Sequence, residues 1–231
     1  MAGWTRIFAY VLLFSVLTAC HSGSEAEENG PMVSDIDGNA YAAVQIGEQL
    51  WMAEDLKTAR FSDGSPIPLV ENYDEWAQLS LPAYSWYNND TANANDFGLL
   101  YNWFAVESGK LCPEGWHVPS DEEWIALESA VGGAQIAGGA LKEQGTALWK
   151  TPNTEASNEA GFSARPGGYR SYNGTFNLIR TSGYWWSTSL KSWYGSEPKA
   201  MYRYMRYDDP SLARHIAEKT NGFNVRCVKN P

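Results

Sequence analysis

Three cysteines in 231 residues constrain this fold more than any other feature, because they bear on both the compartment and the longest covalent link open to the chain. Cys20 closes Leu17-Thr18-Ala19-Cys20 after an apolar run, Ile7 to Val16, that follows a single basic residue, Arg6. A positive start, an apolar core and small residues before a cut are the layout of a secretory signal. The run is too short for a comfortable bilayer crossing, which takes about 20 residues. Its last four residues have the form of the bacterial lipobox. Residues 1–19 are therefore expected to be a lipoprotein signal peptide, with Cys20 the lipidated first residue of the mature chain. Several acyl tails anchor a protein stably where one is marginal. An ordinary cleaved signal, or an uncleaved anchor with Cys20 incidental, are the competing readings.

Export leaves Cys112 and Cys227. In an oxidising compartment two remaining cysteines most simply pair. Their bridge closes a loop of 115 residues, 227 minus 112, for which chain entropy gives about 4–5 kcal/mol at most. Two buried free thiols or a redox pair are the alternatives, although neither cysteine has the Cys-x-x-Cys form.

The formal charge is -10. Loss of residues 1–19 removes Arg6 and no acid, leaving 16 basic and 27 acidic side chains, a net of -11. Such a surface repels phosphate backbones and argues against nucleic acid as a partner. It also supplies no basic patch for anionic lipid, so membrane contact is expected through the lipid anchor alone. Rings make up 14% of the chain, with 11 Trp and 13 Tyr, which implies a core of aromatic side chains and loops rather than stacked aliphatic helices.

Residues 20–33 are expected to form a flexible acidic tether, since His21 to Pro31 has almost no apolar side chain and carries Glu25, Glu27 and Glu28. One domain is expected over 34–231. Asp37-Gly38 is a turn signal, and Tyr41–Ile46 and Gln49–Met52 around Gly47 read as a hairpin. Asp74 to Leu79 reads as a helical turn and Leu99 to Glu107 as a short helix. Ser120 and Glu123 form a capping box ahead of Trp124, Leu127 and Val131 at helical spacing, ended by Gly132-Gly133. From Gly167 the chain turns to Gly, Tyr, Trp, Ser and Asn. Short extended pieces are expected at Phe176–Ile179, Tyr184–Ser187, Ala200–Tyr207 and Phe223–Val228. The fold class is α+β, with few helices, short strands and long loops.

Five blocks then resemble one family. Trp51-Met52-Ala53-Glu54-Asp55-Leu56 resembles its WMAENL signature, and Leu111-Cys112-Pro113-Glu114-Gly115-Trp116-His117-Val118-Pro119 opens a stretch similar to its LCPxGWHVPTDxEW block. Ala164 to Arg170, Gly183 to Ser189 and Gly222 to Val228 complete the order. The chain is similar to the Fibrobacter succinogenes major paralogous domain from Asp35 to Val228. That resemblance implies a C-type-lectin-like domain related to the sulfatase-modifying, formylglycine-generating type. It also implies a place on secreted proteins and lipoproteins whose activity is poorly defined, with Gly222–Cys227 as a central closing strand of alternating side chains pinned to Cys112.

The related enzymes use a cysteine pair in the strand region before the last block. Here Met201 to Tyr207 contains none, so a formylglycine-generating activity is disfavoured and a non-catalytic module expected. His117 near Asp121 and Glu122 reads as a structural histidine rather than a metal or acid–base centre, because the spacing supplies no convergent partners. Asn88, Asp90 and Asp96 offer oxygen ligands to calcium, although Asn and Asp are also ordinary turn residues. The sugar-site motifs of C-type lectins are missing; Glu197-Pro198-Lys199 is an echo with a Lys where an oxygen belongs. No other cofactor is implied.

Rings in loops and short strands are the remaining candidates: Trp185, Trp186, Trp193, Tyr194, Tyr202 and Tyr204, with Arg206 and Arg203 adding hydrogen bonds. Alternation puts Tyr202, Tyr204 and Arg206 on one face and Met201, Arg203, Met205 and Tyr207 on the other. At least half of these rings are expected in the core, with one of Trp185 and Trp186 in and one out. The expected function is adhesion to polysaccharide or an envelope protein, on the outer membrane of a Gram-negative bacterium. A purely structural envelope lipoprotein is the other non-catalytic reading.

Overall fold

Gly38 at φ 85° and Gly47 at φ 58° make the two turns that shape the N-terminal sheet, a backbone region open to glycine at little cost. They join β1 (Met32–Ser34) to β2 (Ala40–Ile46), and β2 to β3 (Gln49–Met52), all antiparallel. Asp35 Oδ1 accepts from the N–H groups of Asp37 and Asn39 and locks the first turn. The sheet begins with Met32 and Val33, two residues ahead of the expected tether boundary. The computed structural model describes residues 1, 30–192 and 196–231. The signal, Cys20 and the tether through residue 29 lie outside the described residues. Among the described residues no helix is long and apolar enough to cross a membrane.

Asn72 caps α1 (Tyr73–Ala77), which buries Trp76. After β4 (Tyr84–Ser85), α2 (Ala92–Phe97) leads to β5 (Leu100–Asn102) and α3 (Trp103–Glu107). The helix expected over Leu99–Glu107 is thus strand over Leu100–Asn102 and helix only from Trp103. Asn102 makes the break: its Oδ1 accepts from Ala105 N–H as a cap and from Ala83 N–H across the sheet, while Nδ2 donates to Leu81 O. Following β6 (Trp116–His117), α4 (Asp121–Ala130) starts on the expected capping box, with both reciprocal bonds formed between Ser120 and Glu123. A further helix, α5 (Ala134–Leu141), was not anticipated. Gly138 and Gly139 inside it disfavour helix locally, yet a Cβ at Gly138 would collide with Ser211 O, so close packing requires the glycine.

The C-terminal half contributes β7 (Tyr169–Arg170), β8 (Phe176–Asn177), β9 (Ser182–Lys191), β10 (Lys199–Arg206), β11 (Ala213–Ala217), β12 (Gly222–Phe223) and β13 (Val228–Lys229). Three sheets result, ordered β1-β2-β3-β13-β6, β11-β10-β9 and β4-β5-β12-β7-β8. The architecture is α+β. The closing segment is central but does not alternate between core and solvent. It is two short strands joined through Asn224–Cys227, and every residue from Gly222 to Val228 is buried. Its backbone bonds run to β9 on one side and to Met52 and Leu56 on the other, so both edges are paired. Cys112 and Cys227 form a disulfide, Cα atoms 6.0 Å apart, beside the β6–β13 pairing.

Two aromatic cores meet at β9. One holds Tyr101, Trp186, Phe223 and the disulfide; the other holds Trp51, Trp124, Trp149, Phe162 and Trp185.

Candidate functional site

Pleating sends alternate side chains of β9, β10 and β11 to opposite faces, and one face carries a continuous aromatic surface. Tyr184 and Trp186 of β9 stand opposite Tyr204 and Tyr202 of β10, and Tyr202 stands opposite His215 of β11. Centroids are 5.7 Å apart for Tyr184–Tyr204 at 17° between planes, and 6.0 Å for Tyr202–Tyr204 and Tyr202–His215. Tyr169 of β7 closes the side at 4.8 Å from Tyr184. Phe223 is the floor, 4.2 Å from Trp186, 4.7 Å from Tyr202 and 5.3 Å from Tyr184. The layer grades outward, from fully buried Trp186 to partly exposed Tyr202 and Tyr204 and exposed Arg206.

A groove of about 540 Å³ lies over this face, bordered by Tyr184, Tyr202, Tyr204, Arg206 and His215 and walled by Leu178 and Thr181. Burial pushes the Tyr184 hydroxyl up to about 12 and raises that of Tyr202 as well. Both rings therefore remain neutral phenols that can donate and accept. Arg206 reaches Asp208 through two bonds of 3.0 and 2.9 Å, and that contact raises its pKa further. Beneath it, buried Lys142 donates from Nζ to Arg206 O and Asp209 O, both at 3.0 Å, and to Thr154 O at 2.9 Å, pinning this end of β10. Flat apolar faces edged by hydroxyls suit stacking and neutral hydrogen bonding.

The structure brings Tyr202, Tyr204 and Arg206 together as alternation predicts, and puts Met201, Arg203 and Met205 on the other face, buried. Trp185 and Trp186 depart from expectation. Both are fully buried, because β9 lies between the two cores and each face has its own. Trp185 Nε1 donates to Asp55 Oδ1 at 2.8 Å and Trp186 Nε1 to Tyr101 O at 2.7 Å, so neither offers a ring to a ligand. Arg203 is likewise internal: its Nε reaches Glu128 at 2.6 Å and its Nη1 reaches Asp121 at 2.7 Å. Trp193 and Tyr194 lie outside the described residues.

The expected polar loop is instead a turn at Asn88–Asp90 followed by α2, which carries Asp96; Asp90 Oδ1 accepts from Ala92 N–H at 3.0 Å, as a turn residue does. Asn88 is exposed with φ 54°, and exposed Asp96 turns its carbonyl to Arg165. Among the described residues no group of three or more His, Cys, Asp or Glu side chains is arranged to hold a metal.

His117 belongs to the scaffold, with Nε2 2.7 Å from Glu123 and Nδ1 2.7 Å from Asn230. The Glu123 bond raises its pKa above the ordinary 6.5, against burial. Burial pushes Glu123 up, but bonds from His117 and from Ser120 N–H hold it below the ordinary 4.5. A raised histidine adds stability below pH 6.5 that is lost as pH climbs through its folded value. A lowered carboxylate adds stability above pH 4.5 that is lost as pH falls through its folded value. The pair therefore contributes fully between pH 4.5 and 6.5. The melting-temperature gap between wild type and His117→Gln is expected to be widest in that window and to narrow above it. A gap constant from pH 5 to 9 contradicts the pairing.

The sequence alone did not single out the groove residues Tyr184 and His215, or Tyr169, which packs on Tyr184. The period of Ser182, Tyr184 and Trp186 could have found the first; β11, short and alanine-rich, gave little sign of His215. No curated protein and no solved structure matches the chain. The model of the Fibrobacter succinogenes major domain matches residues 44–229, a span that begins within β2 and takes in β3, the disulfide and every groove residue, and the chain belongs to that family.

Proposed function

We propose that this protein is a non-catalytic binding module of the cell envelope that holds polysaccharide in the groove over Tyr184, Tyr202, Tyr204 and Arg206. The observation that carries the reading is the partly exposed tyrosine layer bordering a groove of about 540 Å³. Rings held by strands keep their contact area rigid, so little entropy is lost when a sugar face settles on them. The disulfide occupies both Cys112 and Cys227, which supports binding over thiol chemistry. The lipobox supports attachment through Cys20 to the outer membrane of a Gram-negative bacterium, with residues 1–19 removed and residues up to 31 as spacer. Short strands, few helices and long loops are compatible with a C-type-lectin-like relationship. No cofactor is required in this reading.

The full chain in detergent, screened on a glycan array, is expected to retain a saccharide. Tyr202→Ala and Tyr204→Ala each weaken retention about tenfold, one 1.4 kcal/mol step, while a calcium chelator leaves it unchanged. Retention by both variants at the wild-type level refutes the groove. A silent array with a captured envelope protein moves the ligand class to protein.

A further inference from the structure

The aromatic layer lines two cavities, not one. A second cavity, of about 350 Å³, shares Tyr184, Tyr202 and His215 with the first. Arg206 stands in the wall of the larger and Lys199 in the wall of the smaller. They are the two ends of β10, seven positions apart, or roughly 24 Å of strand. Each cavity is individually of small-ligand size. Two exposed apolar side chains also line them, Leu178 at 48% exposure in the larger and Tyr172 at 57% in the smaller.

Charge along this path cancels locally. Arg206 is paired with Asp208 at 2.9 Å, and Lys199 is paired with Glu218. Each cation that lines the cavities thus brings its own carboxylate, in a chain of net charge -10. An acidic polymer entering here meets an anion beside every cation and a repulsive field around them. A neutral chain meets ring faces and phenol hydroxyls, with nothing to displace but water.

We propose that the ligand is an uncharged linear oligosaccharide segment that lies along β10 across both cavities, its middle on Tyr184 and Tyr202, touching Leu178 in the larger and Tyr172 in the smaller. This rests on the saccharide reading above and adds to it the charge class, the direction and the span. Affinity then grows with chain length until both cavities are filled, and it is insensitive to salt because no net charge is neutralised.

The test is calorimetric titration of the full chain in detergent, at low and high salt. The probes are neutral β-linked glucose, xylose and mannose oligomers, from disaccharide to hexasaccharide, and polygalacturonate. In one neutral series the hexasaccharide is expected to bind at least about tenfold more tightly than the disaccharide, equally at both salt concentrations and better than polygalacturonate. Tyr172→Ala, a change at an exposed side chain, is expected to weaken the hexasaccharide about threefold to tenfold and leave the disaccharide unchanged. Preference for polygalacturonate that salt abolishes, affinity that does not rise beyond the disaccharide, or a Tyr172→Ala variant that binds every length as wild type does overturns this proposal while saccharide binding stands. Failure of every saccharide to bind the wild-type chain overturns both.

Discussion

Replacing Cys112 and Cys227 together with Ala is expected to lower the unfolding free energy by about 4–5 kcal/mol at most. The bridge spans 115 residues and so restrains half of the unfolded chain. Loop-closure entropy grows only with the logarithm of length, which keeps the figure near 5 rather than far above it. Residual structure in the reduced chain subtracts from it. The two sulfurs sit in a core beside Tyr101 and Trp186, Cys227 fully buried and Cys112 5% exposed, so reductant is expected to reach them only when the domain opens. Urea titrations of wild type, oxidised and reduced, and of the double variant check this. Reduced wild type and the variant should coincide well below oxidised wild type, and superimposable curves for all three contradict it.

Asp55→Ala is expected to cost about 3–5 kcal/mol, because it strands a buried cation. Arg226 is fully buried and its Nε and Nη2 reach Asp55 Oδ1 at 2.9 and 2.8 Å. The same oxygen accepts from Trp185 Nε1, so one atom joins the WMAENL-like block, β9 and the closing segment. The guanidinium lies 4.0 Å from the centre of the Phe162 ring and donates to Phe162 O, contacts that do not replace a carboxylate. Removing both charges is a different matter, since an apolar pair of similar volume is often neutral in a buried site. Asp55→Ala combined with Arg226→Met is therefore expected to recover part of the loss in the same titration, the remainder being Trp185 Nε1 left without its acceptor. A double variant as unstable as Asp55→Ala, or a single variant within about 1 kcal/mol of wild type, contradicts this account of the pair.

What the sequence discloses here is what neighbours in the chain decide. The capping box at Ser120–Glu123 is complete within four residues, and the hairpin needs only Gly47 between two alternating runs. Alternation alone assigns Tyr202, Tyr204 and Arg206 to one face. Errors arise where a distant partner overrides local preference. Asn102 splits an expected helix because it also bonds to Leu81 and Ala83, nineteen and more residues back. α5 forms despite two glycines because the backbone at Ser211 packs against it. Trp185 and Trp186 are both internal because a layer of core covers each face of β9, and no local pattern separates a strand covered once from one covered twice. The groove is partly legible for the same reason. β10 announces its tyrosines, whereas His215 arrives through pairing with Tyr202, 13 residues back (215 minus 202), and Tyr169 on a strand paired to β12, 52 residues on (222 minus 170).

Family membership also orders the scaffold relative to the site. The matched span holds Asp55, Cys112, Trp185, Arg226 and Cys227, all internal, together with the tyrosines that reach the surface. The internal set fixes β9, and β9 fixes where Tyr184 and its neighbours on β10 emerge.

A crystal structure of the full chain with the tightest-binding saccharide decides whether the tyrosine groove is where the ligand sits. The account predicts sugar rings against Tyr184, Tyr202 and Tyr204, with a hydroxyl within hydrogen-bonding reach of Arg206. A saccharide seated instead at Asn88, Asp90 and Asp96, with the tyrosine groove holding only water, contradicts it.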